Sequence, residues 1–178
     1  MRRIRLTQSI SVLVGVVAAP AVALAEPSAI KVTSSAFTDN APIPVEYTCQ
    51  GAGTSPPLAW SGTPAGTKSI AIVAEDPDTA KGTFTHWLIT GIKPTVTSIA
   101  QGASLPDGAV AAKNDKGTVG YTGPCPPSGR HRYFFRVYAL DTTLDETAMQ
   151  SKVDFFAASQ GHVLAKGELV GTYQKHAK

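Results

Sequence analysis

Residues 69–74 constrain the fold more than any other stretch of the chain. They read Ser-Ile-Ala-Ile-Val-Ala, without the alternation of polar and apolar residues that a strand with one wet face shows. A short, continuous, β-rich apolar run of this kind is typical of a central strand covered on both faces. The run ends in Glu75-Asp76-Pro77-Asp78, so a buried strand is expected to deliver acidic side chains to one end of a layered domain.

Further strands are predicted on both sides of this run. Residues 84–92 form a second apolar run that carries His86, and residues 132–140 alternate between two sets of large side chains. Shorter pieces complete the pattern: short strands within residues 30–60, mainly loop over 93–120, a helix over 155–166 capped by Asp154, and a last strand over 168–173. Several strands followed by a late helix predict a mainly β, two-sheet β-sandwich with peripheral helices.

The first 25 residues have the pattern of a secretory signal peptide. Three arginines lie among the first five residues, a mostly apolar stretch follows, and Ala23-Leu24-Ala25 is a small-x-small cleavage site. A retained anchor is the alternative, but the stretch contains Pro20 and is short for a span of about 20 residues. We therefore expect cleavage after Ala25, no stable membrane insertion afterwards, a single domain over residues 26–178, and a periplasmic or secreted protein.

The charge balance changes once this leader is set aside. The full chain has 16 Lys and Arg against 13 Asp and Glu, and the leader holds three Arg and no acid, which leaves 13 against 13. The remaining 153 residues are enough to bury one core. A balanced chain without a basic stripe argues against nucleic acid and against an acidic membrane surface as partners.

Polar, ring-bearing residues are concentrated in two segments. The first is Asp76-Pro77-Asp78, followed after seven residues by His86-Trp87; the second, residues 123–133, reads Gly-Pro-Cys-Pro-Pro-Ser-Gly-Arg-His-Arg-Tyr. Taken singly, an Asp-Pro-Asp is often just a turn, and a strand histidine is often a satisfied core residue. Proline and glycine in both segments fix or free the backbone where polar groups must be aimed.

Together and in this order, the two segments resemble the phosphatidylethanolamine-binding protein family, which includes the Raf kinase inhibitor-like proteins. Residues 55–60 (Ser-Pro-Pro-Leu-Ala-Trp) and 171–173 (Gly-Thr-Tyr) fit its bacterial branch. The resemblance covers roughly residues 30–173. It implies a larger and a smaller sheet with the site at one end, and, position by position, a pocket made by Asp76, Asp78, His86, Gly123, Pro126, His131 and Tyr133. The family usually follows its Asp-Pro-Asp with a small residue and a proline, whereas Thr79 and Ala80 stand here, which bears on ligand size.

These residue types suit an anionic headgroup. His86 and His131 can donate from ring nitrogens, Tyr133 from its hydroxyl, and the 123–129 loop from backbone N–H groups. Asp76 or Asp78 would lie behind a ring, fix its tautomer and favour its charged form, or would accept from an ammonium or hydroxyl of the ligand. We predict a small anionic or phosphorylated ligand whose binding weakens as pH rises, with no cofactor and no metal.

Two other functions use the same side chains. A hydrolase could employ His86, His131 and the acids, with or without zinc, although there is no local metal-ligand spacing and no G-x-S-x-G motif. An interaction module with a vestigial pocket is the third reading. The residues favour a binding protein over an enzyme, and the resemblance adds a modulated protein partner and a homodimer.

Cys49 and Cys125 are the chain's two cysteines. Export to an oxidising compartment would allow them to form a disulfide, which would stiffen the site loop. Two buried free thiols are the alternative, and their spacing alone does not decide between them.

Overall fold

The computed structural model describes residues 28–145 and 147–176. Within these ranges, no helix is long and apolar enough to cross a membrane. The elements are β1 Ser28–Ala29, β2 Lys31–Thr33, β3 Ala41–Pro42, a 3-10 helix Val45–Tyr47, β4 Leu58–Ser61, β5 Ser69–Asp76, β6 Phe84–Ile92, β7 Ser98–Ile99, β8 Val110–Ala111, β9 Arg130–Leu140, α1 Lys152–Ser159 and β10 Val163–Gln174.

The strands form two sheets. The larger has the order β1-β10-β9-β5-β6-β8, with β3 also paired to β10, and the smaller has the order β2-β4-β7. Short β1 and β3 lie parallel to β10, and the other pairings are antiparallel. The predicted mainly β, two-sheet fold is therefore confirmed.

Strand β5 is covered on both faces, as its composition predicts. Ile70 and Ile72 belong to the main core that the two sheets enclose. Ala71 and Val73 point the other way, into a second cluster that includes Phe155 of α1. All eight residues of β5 are buried, so the strand has no wet face on which polar residues would alternate. Burying an Ile side chain contributes about 1.5–3 kcal/mol to stability, which anchors the strand that carries Asp76.

The late helix differs from the prediction. It spans Lys152–Ser159 and is capped by Ser151, whose Oγ accepts from the backbone N–H of Asp154 at 3.4 Å. Residues 163–166 belong instead to β10, where Ala165 pairs with Ala139. Pairing along the whole length of β9 outweighs the local helix preference of these residues. The same pairing makes the final strand longer than expected and places His162 just before it.

Candidate functional site

A cavity of about 660 Å³ opens at one end of the larger sheet. Three neighbouring strands bring polar side chains to it: Asp76 at the end of β5, His86 near the start of β6 and His131 near the start of β9. Antiparallel neighbours place one strand's end beside the next strand's start, so Asp76 and His131 meet here although 55 positions separate them. The loops 48–53 and 121–127 supply the facing walls.

Asp76 and His131 form a buried pair at the base of this cavity. Nδ1 of His131 lies 2.7 Å from Oδ2 of Asp76, and the residues are 8% and 2% exposed. A carboxylate only accepts, so Nδ1 carries the proton and Nε2 is the polar atom left for a ligand. The other carboxylate oxygen accepts from the backbone N–H of Asp78 at 2.8 Å. Asp76 thus lies behind a histidine, one of the two roles that the sequence left open.

A β-bulge presents His86. Trp87 pairs with Ala74 and Thr85 with Glu75, so His86 has no partner on β5. A bulge bends the strand locally and re-aims the extra side chain, and here that side chain lines the cavity. The ring packs edge-on against Tyr133, with centroids 5.2 Å apart.

The sequence predicted protonated histidines backed by an acid, and for His86 this prediction is wrong. Its Nδ1 lies 2.7 Å from the carbonyl oxygen of Thr122, not from a carboxylate. Burial lowers the pKa of His86 below its usual value, so the ring is neutral near pH 7. Because Nδ1 donates to that carbonyl, Nε2 carries a lone pair and accepts a hydrogen bond. His86 and His131 therefore offer different chemistry to a ligand.

Asp78 lies outside the cavity lining. Its carboxylate accepts from Nη2, Nε and the backbone N–H of Arg132 at 2.6, 3.0 and 2.9 Å. The hydrogen bonds from the Arg132 side chain hold the pKa of Asp78 at about 2. Asp78 is thus an ionised carboxylate paired with a guanidinium, and its role is to hold the turn after β5 against β9.

Tyr133 also lies behind the cavity lining. Its side chain is 1% exposed, and burial, together with the charge of Asp76, raises its pKa. Within residues 28–145 and 147–176, its buried hydroxyl has no partner in hydrogen-bonding geometry. Tyr133 packs beside His86 and leaves an unsatisfied polar atom close to the site.

A disulfide joins the two wall loops. Cys49 and Cys125 are bonded, with Cα atoms 5.4 Å apart, and both are exposed and line the cavity. The backbone N–H of Cys49 also donates to the carbonyl of Pro124 at 3.1 Å. The disulfide favoured by the export argument is therefore present. The alternative, two buried free thiols, is wrong.

Gly123 and Pro126 line the same wall. A Cβ atom added at Gly123 would lie 2.9 Å from backbone atoms of Thr48, closer than real Cβ contacts come. Glycine is needed because the two loops meet backbone to backbone. Five of the seven residues implied by the resemblance thus line one cavity, namely Asp76, His86, Gly123, Pro126 and His131.

Other lining residues were not among the site residues predicted from the sequence. They include Thr79, Phe84, Lys116, Tyr121 and the 48–53 loop. The 48–53 loop could have been predicted from the expected disulfide, because a bond from Cys49 to Cys125 places this loop beside the site. Thr79, which stands where the family usually has a small residue, faces the cavity, and its hydroxyl bonds to the carbonyl of Gly82. In the described ranges, no three His, Cys, Asp or Glu side chains gather as metal ligands.

The fold and the site define a class of protein: a two-sheet β domain with a histidine–carboxylate pair opening into a cavity at one end of its larger sheet. The family model described as phosphatidylethanolamine-binding protein matches residues 33–174. The chain belongs to the phosphatidylethanolamine-binding protein family, as the two polar segments indicated.

Relatives with similar sequences and structures agree with this assignment. A UPF0098 protein of Methanothermobacter thermautotrophicus is 49% identical over 144 residues, covering 79% of this chain and 95% of the relative. A candidate lipoprotein of Mycobacterium tuberculosis is 41% identical over 156 residues, covering 84% and 74%.

Two crystal structures resemble this chain over most of its length. A candidate phosphatidylethanolamine-binding protein homologue from Chlamydia trachomatis has a TM-score of 0.79 at 41% identity, covering 83% of this chain and 99% of that one. The Escherichia coli protein YbcL, described as a new member of the mammalian family, has a TM-score of 0.78 at 32% identity, covering 84% of this chain and 100% of that one.

Proposed function

We propose that this protein is an exported binding protein for a small phosphorylated ligand of the phospholipid-headgroup type, held in the cavity at the end of the larger sheet. The observation that carries the proposal is the buried pair of His131 and Asp76 in the same cavity as the neutral ring of His86. The pair fixes which His131 nitrogen meets the ligand.

The two rings have complementary roles toward a phosphate ester. When His131 is protonated, its Nε2 donates to an ionised phosphate oxygen, and Asp76 balances the charge from behind. The neutral His86 accepts at Nε2, which suits a protonated phosphate oxygen or the ammonium or hydroxyl of a headgroup. A ligand that carries both an anion and a hydrogen-bond donor satisfies both rings.

Binding needs no catalyst, and the cavity has room for such a ligand. At about 660 Å³ it lies within the 300–1,000 Å³ range usual for small-molecule sites. The disulfide and the Gly123 contact hold its walls together, which lowers the ordering cost when a ligand enters.

Export is supported by three independent features. The first 25 residues, which lie outside the described residues, have the signal-peptide pattern. An exposed disulfide is typical of oxidising compartments. One relative carries the name of a candidate lipoprotein. We therefore propose that the protein works in the periplasm or outside the cell.

Calorimetry on the exported, oxidised protein tests the binding proposal. Glycerol phosphate and phosphoethanolamine are the probes. Glycerol and ethanolamine, which lack the phosphate group, are the controls. We expect the phosphorylated compounds alone to bind, and His131→Asn to weaken them about ten- to a hundredfold, the value of one charged hydrogen bond. Equal affinity in wild type and His131→Asn would refute the proposed site.

The same samples distinguish the rival functions. Release of inorganic phosphate from the esters, abolished in His131→Asn, would identify a hydrolase instead. Absence of any phosphate-ester binding, together with capture of a protein partner, would favour an interaction module. Light scattering on the same preparation measures whether the protein is the homodimer that the family resemblance suggested.

A further inference from the structure

Lys116 brings a positive charge to the cavity that the sequence motifs do not contain. Within residues 28–145 and 147–176, it is the one lysine or arginine among the cavity-lining residues. It lies on the connection between β8 and the 121–127 wall, in the turn 114–118. Neither segment that carries the family resemblance includes it.

The turn holds the backbone of Lys116 in place. Asn114 is 3% exposed, and its Oδ1 accepts from the backbone N–H of Lys116 at 3.0 Å and of Thr118 at 3.2 Å. Its Nδ2 donates to the carbonyl of Gly120 at 2.9 Å. Gly117 follows with φ +87°, a left-handed conformation that glycine adopts without strain. The buried side chain of Asn114 thus bonds to the backbone of the turn and fixes the position from which the Lys116 side chain extends.

This turn is also joined to the strand that carries His86. Oδ2 of Asp115 accepts from the backbone N–H of Thr85 at 2.7 Å, and the Asp115 N–H donates to the Thr85 carbonyl at 3.0 Å. Thr85 directly precedes His86. The backbone at Lys116 is therefore held in a fixed position relative to the strand segment that carries His86.

The other charges near the cavity are already compensated. Asp76 is paired with His131, and Asp78 with Arg132. His86 is neutral, and the Asp115 carboxylate faces the Thr85 N–H and, at 4.0 Å, Nζ of Lys152. Within the described part of the chain, no carboxylate lies within 4.0 Å of the Lys116 ammonium. Lys116 is thus the charge that remains for a ligand.

We infer that Lys116 is a specificity-determining residue that makes the cavity prefer doubly charged phosphate monoesters over singly charged phosphate diesters. The inference rests on the proposed function and deepens it. His131 supplies one charge-assisted donor, which a monoanion already uses. The second negative charge of a monoester gains from a second cation at the cavity wall, whereas a diester has no second charge to place there.

The test compares two probes on three variants. Glycerol phosphate is mostly a dianion at pH 7.5, because the second pKa of a phosphate monoester is about 6, and dimethyl phosphate is a monoanion. Lys116→Gln should weaken glycerol phosphate about three- to fivefold, the upper range for one exposed charge pair, and dimethyl phosphate by less than about twofold. Lys116→Arg should retain the wild-type preference because it keeps the charge.

Lys113→Gln is the matched control. Lys113 lies in the same connection and is exposed, but does not line the cavity. It should leave both affinities unchanged. Raising the salt concentration should reduce the monoester preference of the wild type and leave Lys116→Gln unaffected, because salt screens an exposed charge pair.

The outcomes separate this inference from the proposal beneath it. If the wild type binds neither probe, the proposed function fails and this inference with it. If the wild type binds both but Lys116→Gln keeps the full monoester preference, or Lys113→Gln loses it equally, only the assignment to Lys116 is overturned. Unchanged thermal unfolding of each variant excludes a folding defect as the cause.

Discussion

Nδ1 of His131 lies 2.7 Å from Oδ2 of Asp76, although 55 residues separate them in the chain. The next residue on β9, Arg132, holds the second acid of the same turn, Asp78. Successive side chains of a strand point to opposite faces, so the two neighbours separate the two acids. Asp76 is drawn inward behind the cavity histidine, and Asp78 is drawn outward to a guanidinium.

This arrangement predicts different effects of two similar substitutions. Asp76→Asn removes the charge behind His131 and should weaken phosphate-ester binding about tenfold, within the range of a lost charge-assisted hydrogen bond. Asp78→Asn changes a carboxylate that lies outside the cavity lining and should change affinity less than about twofold. Calorimetry on both variants measures the contrast. Equal losses would mean that Asp78 contacts the ligand after all.

Asp78 should be detectable through acid stability instead. Its pKa, held at about 2 by the hydrogen bonds from Arg132, lies below its usual value of 3.8. A carboxylate with a lowered folded-state pKa contributes stability above its unfolded pKa and loses it as pH falls through the folded pKa. The unfolding free energies of wild type and Asp78→Asn should therefore differ at pH 5 and converge near pH 2. A difference that does not depend on pH would contradict this.

His86 predicts a pH dependence at a higher range. Burial lowers its folded-state pKa, so below about pH 6.5 the unfolded chain binds a proton that the folded chain does not. Stability from this group is fully present above pH 6.5 and decreases as pH falls, with a slope of at most about 1.4 kcal/mol per pH unit.

The measurement is urea unfolding between pH 5 and 7.5. His86→Gln replaces the titrating ring with a neutral amide and should flatten the slope. His176→Gln changes an exposed histidine and is the control. If the slope of His86→Gln equals that of the wild type, another group is responsible for the pH dependence.

The strands were predictable because their composition reflects burial. A continuous run of β-forming residues indicated that β5 is covered on both faces, and two alternating sets of large side chains identified β9. The late helix was mispredicted at residues 163–166, because whether they pair with β9 depends on a distant strand and not on local preference. A window of sequence does not contain that information.

The site divides in the same way. The two motifs located His131 and Asp76, but they do not show which acid turns inward, since that choice depends on how the pairing of β5 with β9 brings Arg132 to Asp78. The motif around His86 does not report its burial, and burial decides its charge. Lys116 gave no signal, because its position depends on the docking of Asp115 onto Thr85, 30 residues away.

The leader makes a separate prediction. Three arginines, an apolar stretch and the Ala23-Leu24-Ala25 site predict that the protein produced in a Gram-negative host begins at Glu26 and is found in the periplasm. Intact-mass measurement on fractionated cells tests this. Retention of Met1 in the membrane fraction would contradict cleavage and favour an anchor.

The disulfide should stabilise both the domain and its cavity. It joins residues 76 positions apart, and closing a loop of this length stabilises by about 4–5 kcal/mol in the chain-entropy picture. The double variant Cys49→Ser, Cys125→Ser should lose stability on this scale in urea unfolding, and the wild type under reducing conditions should match it.

Ligand binding should also weaken in the double variant, although neither sulfur needs to touch the ligand. The bond holds the 48–53 loop against the 121–127 loop, and the latter is bonded through Thr122 to His86. Without it, a ligand must order both walls on entry, and that cost appears as lost affinity. Ser128→Ala, an exposed change directly after the 121–127 loop, is the control and should alter neither quantity. If the double variant loses stability but binds a phosphate ester with wild-type affinity, the backbone bond from Cys49 to Pro124 and the close contact at Gly123 are sufficient to hold the walls together.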